Sequence, residues 1–181
     1  IYSERFCFRF ESLFFPSCIQ SCRDIYRMGA ENIRWMHRMF SGIANMADSL
    51  AAVKRLVQQE KRLSLPEFAA VLETDFADNE ALREEIANRF PKYGNGDPEV
   101  DALAAAAGNV LIDAAEAAGR REGFLVMPSF YSLTQHAGFG SVIGATPDGR
   151  KAGSTVSENQ SPTHGADRSG PTTLLASVAR L

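Results

Sequence analysis

The most chemically defined feature of the sequence is a tight turn made of Thr146, Pro147, Asp148, Gly149 and Arg150. Proline fixes φ for the second turn position, aspartate suits the third and can bond its own backbone, and glycine permits a positive φ at the exit. Arginine and lysine follow, so the turn presents cationic groups together with amide donors. Two interpretations are open: a solvated basic turn that only reverses the chain, or a loop shaped for function.

A second group of polar side chains lies at 124–136, a stretch rich in β-forming residues that we predict to be a strand. Pro128 would mark an edge or an irregular start of this strand. Because strand side chains alternate, Ser132, Thr134 and His136 would share one face, with Tyr131 on the other. In an isolated sheet the polar face would meet solvent. Buried hydroxyl and imidazole groups would need partners, and a polar substrate is one such partner.

Metal and nucleotide chemistry are poorly indicated. Cys18 and Cys22 lie four residues apart, on one face of any helix there, but no further ligands stand at compatible spacing. With Cys7 the cysteines are odd in number and suggest no disulfide framework, so we expect reduced thiols. The glycines of 138–144 precede a turn rather than a phosphate-binding helix, and they lack the spacing of a hydrolase nucleophile elbow.

Helices must position these residues. The clearest spans 41–60, where apolar residues recur at three- and four-residue steps and predict a core-facing stripe of Ile43, Met46, Ala47, Leu50, Val53 and Val57. The same pattern places Asn45 and Asp48 as surface polarity, with a ligand role as the alternative.

Further helix signals lie on both sides of this helix. Ser64–Glu67 is a capping box, 79–90 adds a helix, and Asp97-Pro98 opens a long helix that is alanine-dense over 102–118. We also predict a helix from Ser17 with an apolar stripe to Tyr26. Before it, Phe6, Phe8 and Phe10 alternate as in a half-buried strand.

Three ordered blocks of this sequence resemble the glycyl radical enzymes, the group of pyruvate formate-lyase and glycerol dehydratase. They are 44–54, 90–97 and 146–153, and the last is followed by Ser161-Pro, Gly165-Ala-Asp167, Gly170-Pro-Thr172 and Ser177-Val-Ala. The similarity runs from 16 to 181, whereas residues 1–15 match nothing in the family. We therefore divide the chain into an unplaced stretch, 1–15, and part of a barrel domain, 16–181.

The resemblance implies an α/β fold: a partial segment of the family's ten-stranded barrel, mostly helical with one or two strands. In such a barrel Ser132, Thr134 and His136 would line the substrate cavity, with Tyr131 near its end. In the family, an activase that uses S-adenosylmethionine installs a glycyl radical, which passes to a cysteine that abstracts hydrogen from a small substrate. The resemblance further implies a homodimeric parent enzyme that works with this activating enzyme.

Neither radical motif occurs in the sequence. The family's Gly-Cys loop would precede residue 1, and its radical glycine, in an Arg-Val-x-Gly context, would follow Leu181. We therefore expect a fragment of a radical lyase or dehydratase, of the formate C-acetyltransferase or glycerol dehydratase type, that is inactive alone and binds no cofactor. The alternative is a non-catalytic helical interaction module derived from the same scaffold. Gly165-Ala-Asp167 resembles the dehydratase, decarboxylase and C–N or C–S lyase branches, because pyruvate formate-lyase proper commonly has arginine at the alanine position.

Composition narrows the possible partners. With 19 basic and 22 acidic residues the net charge is −3, which gives no footprint for nucleic acid or an anionic membrane. No apolar run reaches bilayer length, and charges at Glu4 and Arg5 interrupt any signal-peptide core. We expect a cytoplasmic location.

Overall fold

The computed structural model describes residues 9–25 and 35–181. Two compact units are present: the first includes the described residues up to His37 together with 116–127, and the second consists of 38–115 and 128–181. The elements in chain order are α1 (Arg9–Ser12), α2 (Pro16–Ser21), β1 (Trp35–Phe40), α3 (Ile43–Val53), a π-helical continuation (Lys54–Gln59), α4 (Leu65–Glu73), α5 (Glu80–Arg89), α6 (Pro98–Glu122), β2 (Leu125–Phe130), α7 (Gln135–Val142) and α8 (Pro171–Val178).

The two strands pair as a small parallel sheet. Phe40 and Phe130, the last residues of β1 and β2, pack with their ring centroids 5.9 Å apart, which aligns the strand ends. Parallel neighbours need a long crossover connection, and here α3 to α6 provide it. The described chain is therefore mostly helical with two strands, which confirms the expected partial barrel segment.

The core of the second unit lies around α3. One cluster joins α3 to α6 through Ala44, Ala47, Ala51, Tyr93, Val100 and Ala104. Another joins the end of α3 to α4 and α5 through Ala52, Leu56, Phe68, Phe76, Ile86 and Phe90. The small alanine side chains let neighbouring backbones approach closely, so the buried face of α3 follows the alanines rather than the bulkier residues.

The predicted apolar stripe of α3 is therefore only partly right. Ile43 and Ala47 are buried, but Met46 and Leu50 are each 43% exposed. Asn45 and Asp48, predicted as surface polarity, are 5% and 2% exposed. Periodicity located the helix correctly but oriented it wrongly, because the polar partners of these two side chains lie about a hundred or forty-five residues further along the chain.

Several predicted helix starts are confirmed. Ser64 and Glu67 form the reciprocal capping box of α4, with the Ser64 amide donating to Glu67 Oε2 at 2.7 Å. At α6, Asp97 Oδ1 accepts from the amides of Glu99 and Val100 at 3.0 and 3.1 Å. These bonds satisfy amide groups that the first helical turn leaves without partners.

The predicted strand 124–136 is wrong beyond residue 130. β2 ends at Phe130, Leu133 has a left-handed φ of 48°, and Gln135 N donates to Ser132 O at 2.7 Å before α7 begins. A turn therefore replaces the second half of the strand, and the alternating face of Ser132, Thr134 and His136 does not exist. The polar side chain of Asn159 favours this turn because its Oδ1 accepts from Ser132 N at 3.0 Å.

The N-terminal predictions also need correction. Phe10 lies in α1 rather than in a strand, and Phe6 and Phe8 lie outside the described residues. α2 begins at Pro16 instead of after Ser17, and it ends at Ser21 because Cys22 adopts a left-handed conformation. Of the predicted stripe, Ile25 lies beyond this helix and Tyr26 is outside the described residues. Within the described ranges, no helix combines the length and apolarity needed to cross a bilayer.

Candidate functional site

The three sequence blocks meet in the second unit in a cluster of buried polar side chains, which we call the polar junction. Its members come from α3, from the loop after α5, and from the loop after α7, and each is at most 8% exposed: Asn45, Asp48, Lys92, Asp148, Arg150 and Ser157. Because buried polar groups are costly without partners, each of them must be bonded within the protein.

Asn45 clamps the start of α3 to the loop that contains Asp148. Its Nδ2 donates to Asp148 Oδ2 at 2.6 Å, and its Oδ1 accepts from Ser157 N at 2.6 Å. The Ser157 hydroxyl in turn accepts from Ala44 N at 3.2 Å. One asparagine thus joins positions that lie more than one hundred residues apart in sequence.

The turn at 146–150 has the geometry that the sequence predicts. Gly149 N donates to Thr146 O at 3.1 Å, and Gly149 has a φ of 90°. Asp148 Oδ1 accepts from the Thr146 hydroxyl at 2.5 Å and from Arg150 N at 3.4 Å. Asp148 therefore bonds its own turn with one oxygen and α3 with the other.

Arg150 is an internal support rather than a solvated cation. It is only 7% exposed, and its guanidinium donates to Thr146 Oγ1 and to the carbonyl oxygens of Ile143, Gly144, Lys151 and Ser154. The solvated-turn interpretation is therefore wrong for this side chain. The planar guanidinium suits such convergent carbonyl groups, which a lysine could not satisfy together.

Asp48 and Lys92 are the ionisable pair of the junction. Asp48 Oδ1 accepts from Tyr93 N at 2.7 Å, whereas Asp48 Oδ2 is buried without a hydrogen-bond partner. Burial raises the pKa of Asp48 to about 7, against the opposing effect of Lys92. Lys92 Nζ donates to Asp148 O at 2.7 Å, and burial lowers the pKa of Lys92 although both carboxyl groups oppose this.

The loop 90–97 also holds the trailing block at 161–169. Asn95 Nδ2 donates to Ala166 O at 2.7 Å, and Asn95 Oδ1 accepts from the amides of Arg168 and Ser169 at 2.7 and 3.1 Å. Gly94, with a φ of 90°, lies so close to Pro162 that a Cβ there would be 2.2 Å from the proline Cγ. These contacts explain why the two blocks accompany each other in the sequence.

An open cleft of about 700 Å³ lies beside the polar junction. Asp48, Lys92, Asp148 and Arg150 line one side, and the segment 163–168 and part of α5 line the rest. The cleft therefore combines both signs of charge with hydroxyl and amide groups, a surface suited to a small polar or charged ligand.

The four predicted substrate-binding residues are divided by the turn after β2. Ser132 is 2% exposed, and its Oγ lies 3.4 Å from His136 Nδ1, so the turn brings these two together. His136 Nδ1 also lies 3.0 Å from Leu133 O. Thr134 and Tyr131 are exposed. The described residues contain no group of three or more side chains placed to hold a metal; Cys18 is buried and Cys22 exposed, and both are free thiols.

Sequence reasoning missed the roles of Asn45, Asp48, Lys92 and Asn95. One signal was available for the first two: both lie next to alanines that recur every three or four residues on α3, and an alanine stripe marks close packing as well as an apolar one does. Nothing local marks Lys92 or Asn95, because their partners come from the distant segments at 148 and 166–169.

Comparison with known proteins identifies relatives of this chain. Residues 1–140 match the family model described as pyruvate formate lyase-like. A probable dehydratase of Escherichia coli (strain K12), YbiW, is 38% identical over 175 residues, covering 91% of this chain and 21% of the relative. The isethionate sulfite-lyase of Bilophila wadsworthia is 32% identical over 161 residues, which cover 88% of this chain and 19% of that enzyme.

Solved structures agree with the sequence matches. The glycerol-bound form of the B12-independent glycerol dehydratase from Clostridium butyricum superimposes with a TM-score of 0.86 at 34% identity, covering 99% of this chain and 23% of that one. A glycyl radical enzyme from Archaeoglobus fulgidus superimposes with a TM-score of 0.79 at 29% identity. The chain spans about one fifth of the length of these relatives.

Proposed function

Because this chain belongs to the pyruvate formate lyase-like family, whose similar members are glycyl radical enzymes, we propose that it is the scaffold segment of a radical dehydratase or lyase. Its role is to support the barrel rather than to carry the radical. The observation that carries this proposal is the polar junction: the three blocks shared with the family converge there, and their side chains bond one another.

The chemistry of the radical belongs to residues outside this sequence. The sequence has no Gly-Cys pair and no Arg-Val-x-Gly run, and its free cysteines within the described residues lie in α2 and directly after it. We propose that an S-adenosylmethionine-dependent activase installs the glycyl radical in the parent enzyme, which is a cytoplasmic homodimer. The present chain alone binds no radical cofactor.

The substrate belongs to the dehydratase and lyase branches, according to this proposal. Support comes from Gly165-Ala-Asp167 and from the printed activities of the relatives, a probable dehydratase and an isethionate sulfite-lyase among them. Tyr131, Ser132, Thr134 and His136 are the substrate-binding residues in the parent enzyme. Exposed Thr134 is available for direct contact, while buried Ser132 orients His136.

Electron paramagnetic resonance after anaerobic incubation with an activase and S-adenosylmethionine tests the proposal. We expect no glycyl doublet and no turnover from the 181-residue chain, because both radical loops are absent. The glycerol dehydratase relative serves as the positive control for the incubation. A doublet from the chain itself would contradict the proposal.

A companion measurement separates this function from the interaction-module alternative. The chain is extended by the in-frame coding sequence on both sides, and the same incubation is repeated. A doublet with the extended protein supports the radical enzyme. Stop codons on both sides, or an extended protein without either radical motif, favour the interaction module instead.

A further inference from the structure

The cleft beside the polar junction has an excess of positive charge, although the whole chain has a net charge of −3. Five arginine and lysine side chains line it, against two carboxyl groups: Arg83, Lys92, Arg150, Lys151 and Arg168, against Asp48 and Asp148. Glu80 adds a third carboxylate from outside the lining, because it pairs with Arg83 at 2.6 Å and Lys151 at 3.0 Å. The local charge is therefore opposite in sign to that of the molecule.

Lys92 and Arg168 are the cations in this cleft with unused donors. Lys92 Nζ donates its one hydrogen bond within the described chain to Asp148 O, so two of its N–H groups are left over. Arg168 donates to Asn88 O and Oδ1 at 3.0 and 3.1 Å, and both acceptors are neutral. The positive charge of Arg168 contributes to lowering the pKa of Lys92, after burial, so the two groups repel each other across the cleft.

Thr163 adds a neutral donor to the same cleft. Its Oγ1 is buried and has no hydrogen-bond partner within the described residues. Arg150, in contrast, contributes charge but no free donor, because its N–H groups are already bonded to backbone carbonyls and Thr146. The unsatisfied groups are therefore two cations and one hydroxyl, a set that matches the oxygen atoms of an anion.

We propose that the cleft binds a small dianionic oxyanion such as sulfate or phosphate, held by Lys92 Nζ, the Arg168 guanidinium and the Thr163 hydroxyl. The anion removes the repulsion between the two cations and satisfies the buried hydroxyl. Asp48 and Asp148 do not compete for these donors directly, because Asp148 already accepts from Asn45 and Thr146, and Asp48 accepts from Tyr93. The site does not depend on the proposed radical function.

Isothermal titration of the 181-residue chain with sodium sulfate tests this site, with sodium chloride at equal ionic strength as the reference. We expect saturable one-to-one binding that weakens about tenfold in Arg168→Gln, since it loses a charge-assisted hydrogen bond, and less in Thr163→Val. Lys61→Gln removes the same charge at an exposed position outside the cleft and is expected to change affinity less than about twofold. Circular dichroism confirms that each variant is folded.

Three outcomes would overturn the proposal: no saturable heat with the unaltered chain, equal weakening in Lys61→Gln and Arg168→Gln, or acetate binding as tightly as sulfate. The last would show that a single carboxylate suffices and that the site is not selective for a dianion. A second readout is the titration of Lys92 followed by NMR of its side-chain nitrogen. Bound sulfate is expected to raise the pKa of Lys92, whereas a merely structural Lys92 would titrate unchanged.

Discussion

At the residue scale, Asp48 places a carboxyl group where charge is disfavoured. One oxygen accepts from Tyr93 N, the other has no partner, and burial raises the pKa of Asp48 to about 7. In the unfolded chain the ordinary value of 3.8 applies. The folded chain therefore holds one more proton than the unfolded chain between these values, and its stability falls as the pH rises through that window.

Asp48→Asn is expected to abolish this pH dependence while keeping the acceptor for Tyr93 N. Between pH 4 and 7 the free energy of unfolding of the unaltered chain should fall relative to the variant by up to about 1.4 kcal/mol per pH unit. Urea unfolding at several pH values measures the difference. Asp78→Asn, at an exposed aspartate, is the control for losing one negative charge. Parallel pH profiles for the unaltered chain and Asp48→Asn would show that Asp48 titrates normally.

At the scale of elements, the sequence predicts what is local and misses what depends on distant partners. The cap of α4, the start of α6 and the turn at 146–150 are all confirmed, because each rests on hydrogen bonds within five residues. The orientation of α3 and the end of β2 were wrong. Asn45 is buried by partners at 148 and 157, and Ser132 is held by Asn159. No periodicity within α3 or β2 contains that information.

The contact between Gly94 and Pro162 gives a prediction about how two loops dock. In Gly94→Ala the new methyl group would lie 2.2 Å from Pro162 Cγ, at a residue whose φ is already 90°. Gly153→Ala is the matched control, because Gly153 has a φ of 75° and no atom within 4 Å of the new carbon. Left-handed strain alone costs about 1–2 kcal/mol, and Gly94→Ala should lose at least about 1 kcal/mol more through overpacking.

Thermal unfolding of both glycine variants by circular dichroism measures this difference. Gly94→Ala should melt at a clearly lower temperature than Gly153→Ala. Equal melting temperatures would mean that the loop with Pro162 moves away freely, and that the 161–169 segment is not fixed to the loop 90–97.

At the scale of the whole molecule, many large apolar side chains are exposed. Those more than 60% exposed within the described residues are Phe10, Leu13, Phe14, Val110, Leu125, Leu133, Val142 and Leu175. β1 and β2 also pair only with each other among the described residues, so each has an open edge. Open strand edges and apolar surface of this kind favour self-association.

The isolated chain is therefore expected to be oligomeric or prone to aggregation. Size-exclusion chromatography with light scattering at several concentrations measures this directly. Val142→Ser, at a side chain that is 82% exposed, should shift the distribution toward smaller species, whereas a change at the surface polar residue Gln59 should not. A compact monomer with a cooperative melt at all concentrations would contradict this expectation.

The clamp made by Asn45 has a consequence for synthesis on the ribosome. Asn45 and Ser157 are 112 residues apart, so at 5–20 residues per second α3 emerges roughly 6–22 s before its partner does. During that interval Asn45 and Asp48 cannot be buried without an unsatisfied polar group, and the alanine face of α3 is available to chaperones and proteases. Nascent chains stalled before residue 148 should thus be cleaved within α3 by a protease that leaves the finished chain intact at that helix. Equal resistance of stalled and finished chains would show that α3 docks without its clamp.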